Sequence, residues 1–147
     1  MKKVVSVLII VLAFTAAVFA QSKPMQKSSA DLQAIKNSPA YAEVLLKRVA
    51  LEAEIEDLLV AYTEDFPKVK KLRFKLDLIN KSLEKILSVK PSEAGKLSAA
   101  LGKLIVQKVE YEAELAALRK EYEDDYPDVK RAKRKVEVYQ NAINEIL

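Results

Sequence analysis

The chain has no cysteine, no histidine and no tryptophan, and only two glycines, Gly95 and Gly102, among its 147 residues. Without cysteine there is no disulfide, no thiol nucleophile and no lipid-bearing residue behind a leader, so stability has to come from packing. Without histidine the commonest general base is gone, and most zinc sites with it. Carboxylates remain, but two-carboxylate chemistry needs a pocket that drives their pKa values apart, and thin helical arms offer none. The expectation is a protein that is not an enzyme and that holds no metal and no cofactor. Scarce glycine beside abundant Ala, Leu, Glu and Lys favours long helices over sheets.

The first twenty residues read as a secretory signal peptide. Lys2 and Lys3 form a positive start, residues 4–17 are apolar and uncharged, and Val18-Phe19-Ala20 offers a cleavage site before Gln21. The apolar run lies at the low end of spanning length, so once the leader is removed no stable membrane span is expected. Cleavage leaves 23 basic and 21 acidic residues, a net charge of +2. That is too little to attract nucleic acid or a membrane by bulk electrostatics. The expected location is periplasmic or secreted.

Shifting the chain by sixty aligns residues 38–87 with 98–147 without a gap. The matches include Glu52/Glu112, Glu54/Glu114, Leu58/Leu118, Tyr62/Tyr122, Asp65/Asp125, Pro67/Pro127, Val69/Val129 and Lys70/Lys130. A tyrosine, an aspartate, an aromatic, a proline, a valine and a lysine in fixed register do not recur by shared composition. This is a duplication. Within each copy apolar residues alternate at spacings of three and four. The first arms read Tyr41, Val44, Arg48, Leu51, Ile55, Leu58, Tyr62 and Leu101, Leu104, Lys108, Tyr111, Leu115, Leu118, Tyr122. The second arms read Val69, Leu72, Leu76, Ile79, Leu83, Ile86 and Val129, Ala132, Val136, Tyr139, Ile143, Ile146. That period is the seam of a left-handed coiled coil.

Pro67 and Pro127 separate the arms. Proline lacks an amide hydrogen and disfavours helical geometry in the residue before it, so each first arm ends before Phe66 or Tyr126. The proline then suits the first turn of the next helix, with Asp65 or Asp125 as a candidate cap. The sequence predicts an all-α fold: two tandem antiparallel coiled-coil helical hairpins, four long helices in all, behind a cleaved signal peptide. Its segments are 1–20 (signal peptide), 21–37 (polar and partly disordered), 38–87 (first hairpin), 88–97 (connector) and 98–147 (second hairpin). Ser38-Pro39 and Ser98 open the first arms as caps.

The two turns, Tyr62-Thr63-Glu64-Asp65-Phe66-Pro67-Lys68-Val69 and Tyr122-Glu123-Asp124-Asp125-Tyr126-Pro127-Asp128-Val129, are similar to a known pattern. They resemble the periplasmic coiled-coil segments of polysaccharide chain-length determinant (co-polymerase) proteins. Those segments carry a tyrosine, a short polar run, an aromatic or histidine with proline, and valine between two long helices. The resemblance is confined to the turns and their flanks. It implies a periplasmic hairpin, but the flanking membrane helices and the α/β domain of that family have no counterpart here.

Past each turn runs a basic stretch: Lys68, Lys70, Lys71, Arg73, Lys75, and Lys130, Arg131, Lys133, Arg134, Lys135. Cations at a helix start oppose the macrodipole, so something should compensate them. The facing arms offer Glu54, Glu56, Asp57 and Glu64, or Glu112, Glu114, Glu121 and Glu123; the sharper alternative is a patch for an anionic polymer or lipid headgroup. Arg48 and Lys108 replace apolar seam residues, either setting register or snorkelling. Off-seam apolar residues (Leu45, Val49, Leu78, Leu87; Ile105, Val109, Val138, Leu147) widen the stripe away from the turns, so the bases should associate, within the chain or between subunits. The expected role is a structural or adaptor protein of the cell envelope, with a protein partner on its coiled-coil surfaces, candidate homo-oligomerisation, and no nucleic acid. A periplasmic holdase with helical arms is the alternative.

Overall fold

The structure, a computed structural model, describes residues 28–147, and every regular element among them is helical. The expected signal peptide lies outside the described residues. A short helix α1 (Ser29–Lys36) is followed by α2 (Pro39–Leu59), α3 (Pro67–Ser88), a 3₁₀ turn (Pro91–Lys96), α4 (Ala99–Leu118) and α5 (Pro127–Ile146). At about 1.5 Å per residue each long helix is roughly 30 Å from end to end. Among the described residues no helix is long and apolar enough to cross a membrane.

The starts of the helices follow from their capping residues. Ser38 Oγ accepts from the Tyr41 amide at 3.3 Å, and Ser98 Oγ accepts from Leu101 at the same distance. Pro67 and Pro127 occupy the first turns of α3 and α5, but the preceding positions are held by Phe66 and Tyr126, whose side chains cap nothing. Asp65 and Asp125 are therefore not the caps. α1 occupies the second half of the polar 21–37 segment. It begins with a reciprocal cap in which Ser28 Oγ accepts from the Asp31 amide and the Asp31 carboxylate accepts from the Ser28 amide. The sequence signal for it, a serine three residues before an acid, was present but unread.

Cross-helix contacts set the directions. Lys68 of α3 meets Glu54 of α2 at 3.0 Å, and Lys135 of α5 meets Glu114 of α4 at 3.5 Å, so each second helix runs back along the first. By contrast α2 and α4 run in the same direction. The Ala40 amide donates to the Leu97 carbonyl at 3.1 Å, and two turns further along α2 Lys47 meets Glu110 of α4 at 2.8 Å. Both turns consequently lie at the same end of the molecule. Gly102 permits the approach: a Cβ there would lie 2.7 Å from Glu43 Cβ and 2.9 Å from the Ala40 carbonyl oxygen.

The apolar residues at the base form one core. Ile35, Ala40, Val44, Leu97, Leu101 and Ile105 are buried together with Ile79, Leu83, Ile86 and Ile143. The two copies pack against each other within the chain, which settles one of the arrangements the widened stripe allowed. The core continues up the first pair through Leu51, Ile55, Leu72 and Val69. In the second pair Leu115, Val129 and Ala132 form a separate small cluster near the turn. α4, flanked on three sides, buries its off-seam Ile105 and Val109, whereas Val49 and Val138 on the outer helices stay more than half exposed.

Candidate functional site

The surface with most chemistry is the end that carries both turns. In the first, Tyr62 stacks on Phe66 with ring centroids 4.1 Å apart; in the second, Tyr122 stacks on Tyr126 at 4.3 Å. The four-residue step across the turn sets each pair face to face. Tyr62 and Tyr122 close the turns by this local stacking and remain 49% and 40% exposed.

Charges around the turns differ between the copies. In the first, Lys68 is held by Glu54, Lys70 by Asp65 at 2.8 Å, and Arg73 by Glu64, to which its Nε donates at 3.2 Å. Hydrogen bonds from Arg73 and Lys70 hold the Glu64 and Asp65 carboxyls below their ordinary range. Lys75 reaches the other copy, sharing Glu110 with Lys47. Burial pushes the Glu110 carboxyl up, but the hydrogen bonds from Lys47 and Lys75 outweigh it and the net shift is downward. Among the described residues Lys71 makes no ion pair.

In the second copy the expected compensation by the facing arm largely fails. Lys135 alone crosses to an acid of α4, Glu114, and also lies 5.0 Å from the centre of the Tyr111 ring. Arg131 turns back to Asp128 on its own helix at 2.8 Å. Among the described residues Lys130, Lys133 and Arg134 make no ion pair, and neither do Glu121, Glu123 and Asp125. For Lys133 the physical cause is a change at one position. Where the first copy has Leu59, the second has Arg119, whose guanidinium donates to both oxygens of Asp124 at 2.8 and 3.0 Å. Asp124 stands where Glu64 stands in the first copy, so the acid that would hold Lys133 is already engaged. The Arg119 hydrogen bonds hold the Asp124 carboxyl low, and Lys133 adds only a weaker, longer-range pull. This exchange was not anticipated, although Leu59/Arg119 is visible in the repeat alignment.

The seam cations do not pair across helices. Lys108 donates to Glu112, four residues on, at 2.6 Å, and Arg48 lies 3.4 Å from Glu52 while its buried Nε donates no hydrogen bond among the described residues. Both stems lie along the core with their heads turned to an acid of the same helix, which is the snorkelling arrangement. A hollow of about 250 Å³ opens between α3, α4 and α5, with Ile86, Leu101, Ile105 and Ile143 in its walls and Lys85 and Lys108 among its polar residues. Among the described residues no three acids cluster so as to hold a metal ion. No protein-family model, no curated protein and no solved structure matches the chain.

Proposed function

We propose that the protein is an exported, non-enzymatic structural or adaptor module of the cell envelope, built as two tandem coiled-coil hairpins that present their turns side by side to a protein partner. The observation that carries this reading is the repetition of one exposed aromatic stack, Tyr62 on Phe66 and Tyr122 on Tyr126, at the same end of both copies. Stacked rings half open to water are a preformed apolar contact with little side-chain entropy left to lose, a property shared by binding hot spots. The core joining the two bases fixes how the two contacts sit relative to each other. The likeness of the turns to chain-length determinant hairpins suggests polysaccharide assembly or export as the setting.

The test is cross-linking of the exported protein in intact cells, followed by mass spectrometry, with the four rings intact or all replaced by alanine. A stoichiometric partner captured by the native protein and lost with the alanine variant, at nearly unchanged Tm, is the expected result. Capture of the same partner by both forms would sink the assignment of the turns. The exposed Leu46 and Val49 of α2 favour a second reading, a holdase whose flank shelters unfolded clients. It predicts concentration-dependent suppression of client aggregation and no fixed stoichiometry.

A further inference from the structure

The second turn carries two sets of exposed charge that, among the described residues, form no ion pair. Glu121, Glu123 and Asp125 outnumber the one unpaired cation, Lys120, at the tip, and Lys130, Lys133 and Arg134 outnumber the one unpaired acid, Glu137, on α5 behind it. At about 1.5 Å per residue from Pro127, those cations lie roughly 5–10 Å down the helix. Tyr122 and Tyr126 are both at the tip and about 40% exposed. The first copy has no such segregation: Ala61 and Thr63 stand in place of Glu121 and Glu123, Phe74 in place of Arg134, and its Asp65 and Lys70 neutralise each other.

A polyanion seated on the cations would press against the carboxylates of the tip, and a polycation would meet the reverse. The partner that fits must present both signs in the opposite order, and a two-fold axis between tip and cations generates that partner from the molecule itself. Without the leader the chain holds 23 basic and 21 acidic side chains, so a net charge of only +2 opposes self-association over distance.

We propose that the second turn is a homodimer contact. Two copies overlap antiparallel at their second turns, the tip carboxylates of each facing Lys130, Lys133 and Arg134 of the other, with the Tyr122–Tyr126 stacks meeting near the axis. The first turn takes no part, so the dimer joins one turn of each molecule and competes with the protein partner proposed above for the second turn. Exposed ion pairs are individually weak and screened, so the contact is reversible and sensitive to salt.

Sedimentation equilibrium on the exported full chain tests it. Dimer should form at low ionic strength, and its Kd should rise at least roughly tenfold in ~1 M salt, where the Debye length is about 3 Å. Two charge reversals give the decisive arms: Glu121→Lys with Glu123→Lys and Asp125→Lys, and Lys130→Glu with Lys133→Glu and Arg134→Glu. All six sites are exposed, so circular dichroism should be unchanged. Each variant alone should be monomeric, and an equimolar mixture should recover a one-to-one dimer. Reversing Glu64 and Asp65 at the first turn should leave the native dimer intact. A native protein that is monomeric at low salt overturns the proposal, as do reversed variants that still dimerise alone or a mixture that does not associate. Monomeric protein that binds polyphosphate through Lys130, Lys133 and Arg134 would also overturn it, and would reassign the cations to an anionic polymer.

Discussion

Glu110 is the residue on which the two copies meet electrostatically, because it accepts from Lys47 of α2 and Lys75 of α3 while belonging to α4. Its carboxyl is held below the ordinary value of 4.5 in the folded state. A depressed carboxylate stabilises the fold above the unfolded pKa, and that contribution is lost as pH falls through the lower folded value. Replacing Glu110 by Gln should cost about 1 kcal/mol at neutral pH, and the loss should fade as pH falls below about 4.5. Urea titrations of both forms at pH 7 and in acid check this; a constant difference across pH would assign the effect to packing. The position equivalent to Glu110 is Ala50. Two members of the inter-copy bridge, Lys47 and Glu110, thus have no counterpart in the other copy, where Gln107 and Ala50 stand, while Lys75 is repeated as Lys135.

At the scale of elements, close approach of α2 to α4 depends on one hydrogen atom in place of a side chain. A methyl at Gly102 would meet the Ala40 backbone at 2.9 Å, and backbone cannot rotate away. Gly102→Ala adds about 1 kcal/mol of helix propensity but forces the helices apart, an overpacking cost of ~1–3 kcal/mol. Net destabilisation of about 1 kcal/mol is expected by denaturant titration; Gly95→Ala, where the added Cβ meets nothing, should not destabilise. The reversals at Pro67 and Pro127 admit a direct measurement. Cysteines at positions 58 and 76, in a chain with none of its own, should carry spin labels about 10 Å apart as packed helices do. A continuous helix would separate them by about 27 Å.

At the scale of the whole molecule, the shared base makes one cooperative unit of the two copies, while the second turn keeps an apolar cluster of its own. Hydrogen exchange should therefore be slowest in the base, and faster around Leu115, Val129 and Ala132 than around their counterparts Ile55, Val69 and Leu72 in the continuous core. Equal protection at both turns would contradict the division. Processing is the other whole-chain expectation: intact mass of the exported protein should begin at Gln21, and retained Met1 on membrane-bound material would refute the leader.

Local rules were enough for much of this molecule. The three-four spacing selected Val44, Leu51, Ile55, Val69, Leu72, Ile79 and Ile143 as core, and all are buried. Proline and serine punctuation located the helix starts, because steric exclusion and capping act within a few residues. What lay beyond reach depended on neighbours distant in sequence. Seam periodicity describes a helix facing one partner, so it could not foresee α4 facing three, or the burial of Gly102, Leu97 and Ala113. Nor could matching charges along facing arms reveal that Arg119 takes the acid needed by Lys133, since side chains pair by reach and geometry and not by register alone. The sequence by itself determined the helices, the duplication and the reversals. Only the tertiary structure decided that the bases fuse and that both turns share one end. Each of these turns on a contact between residues that no short-range rule couples: Gly102 against Ala40, and Glu110 between Lys47 and Lys75.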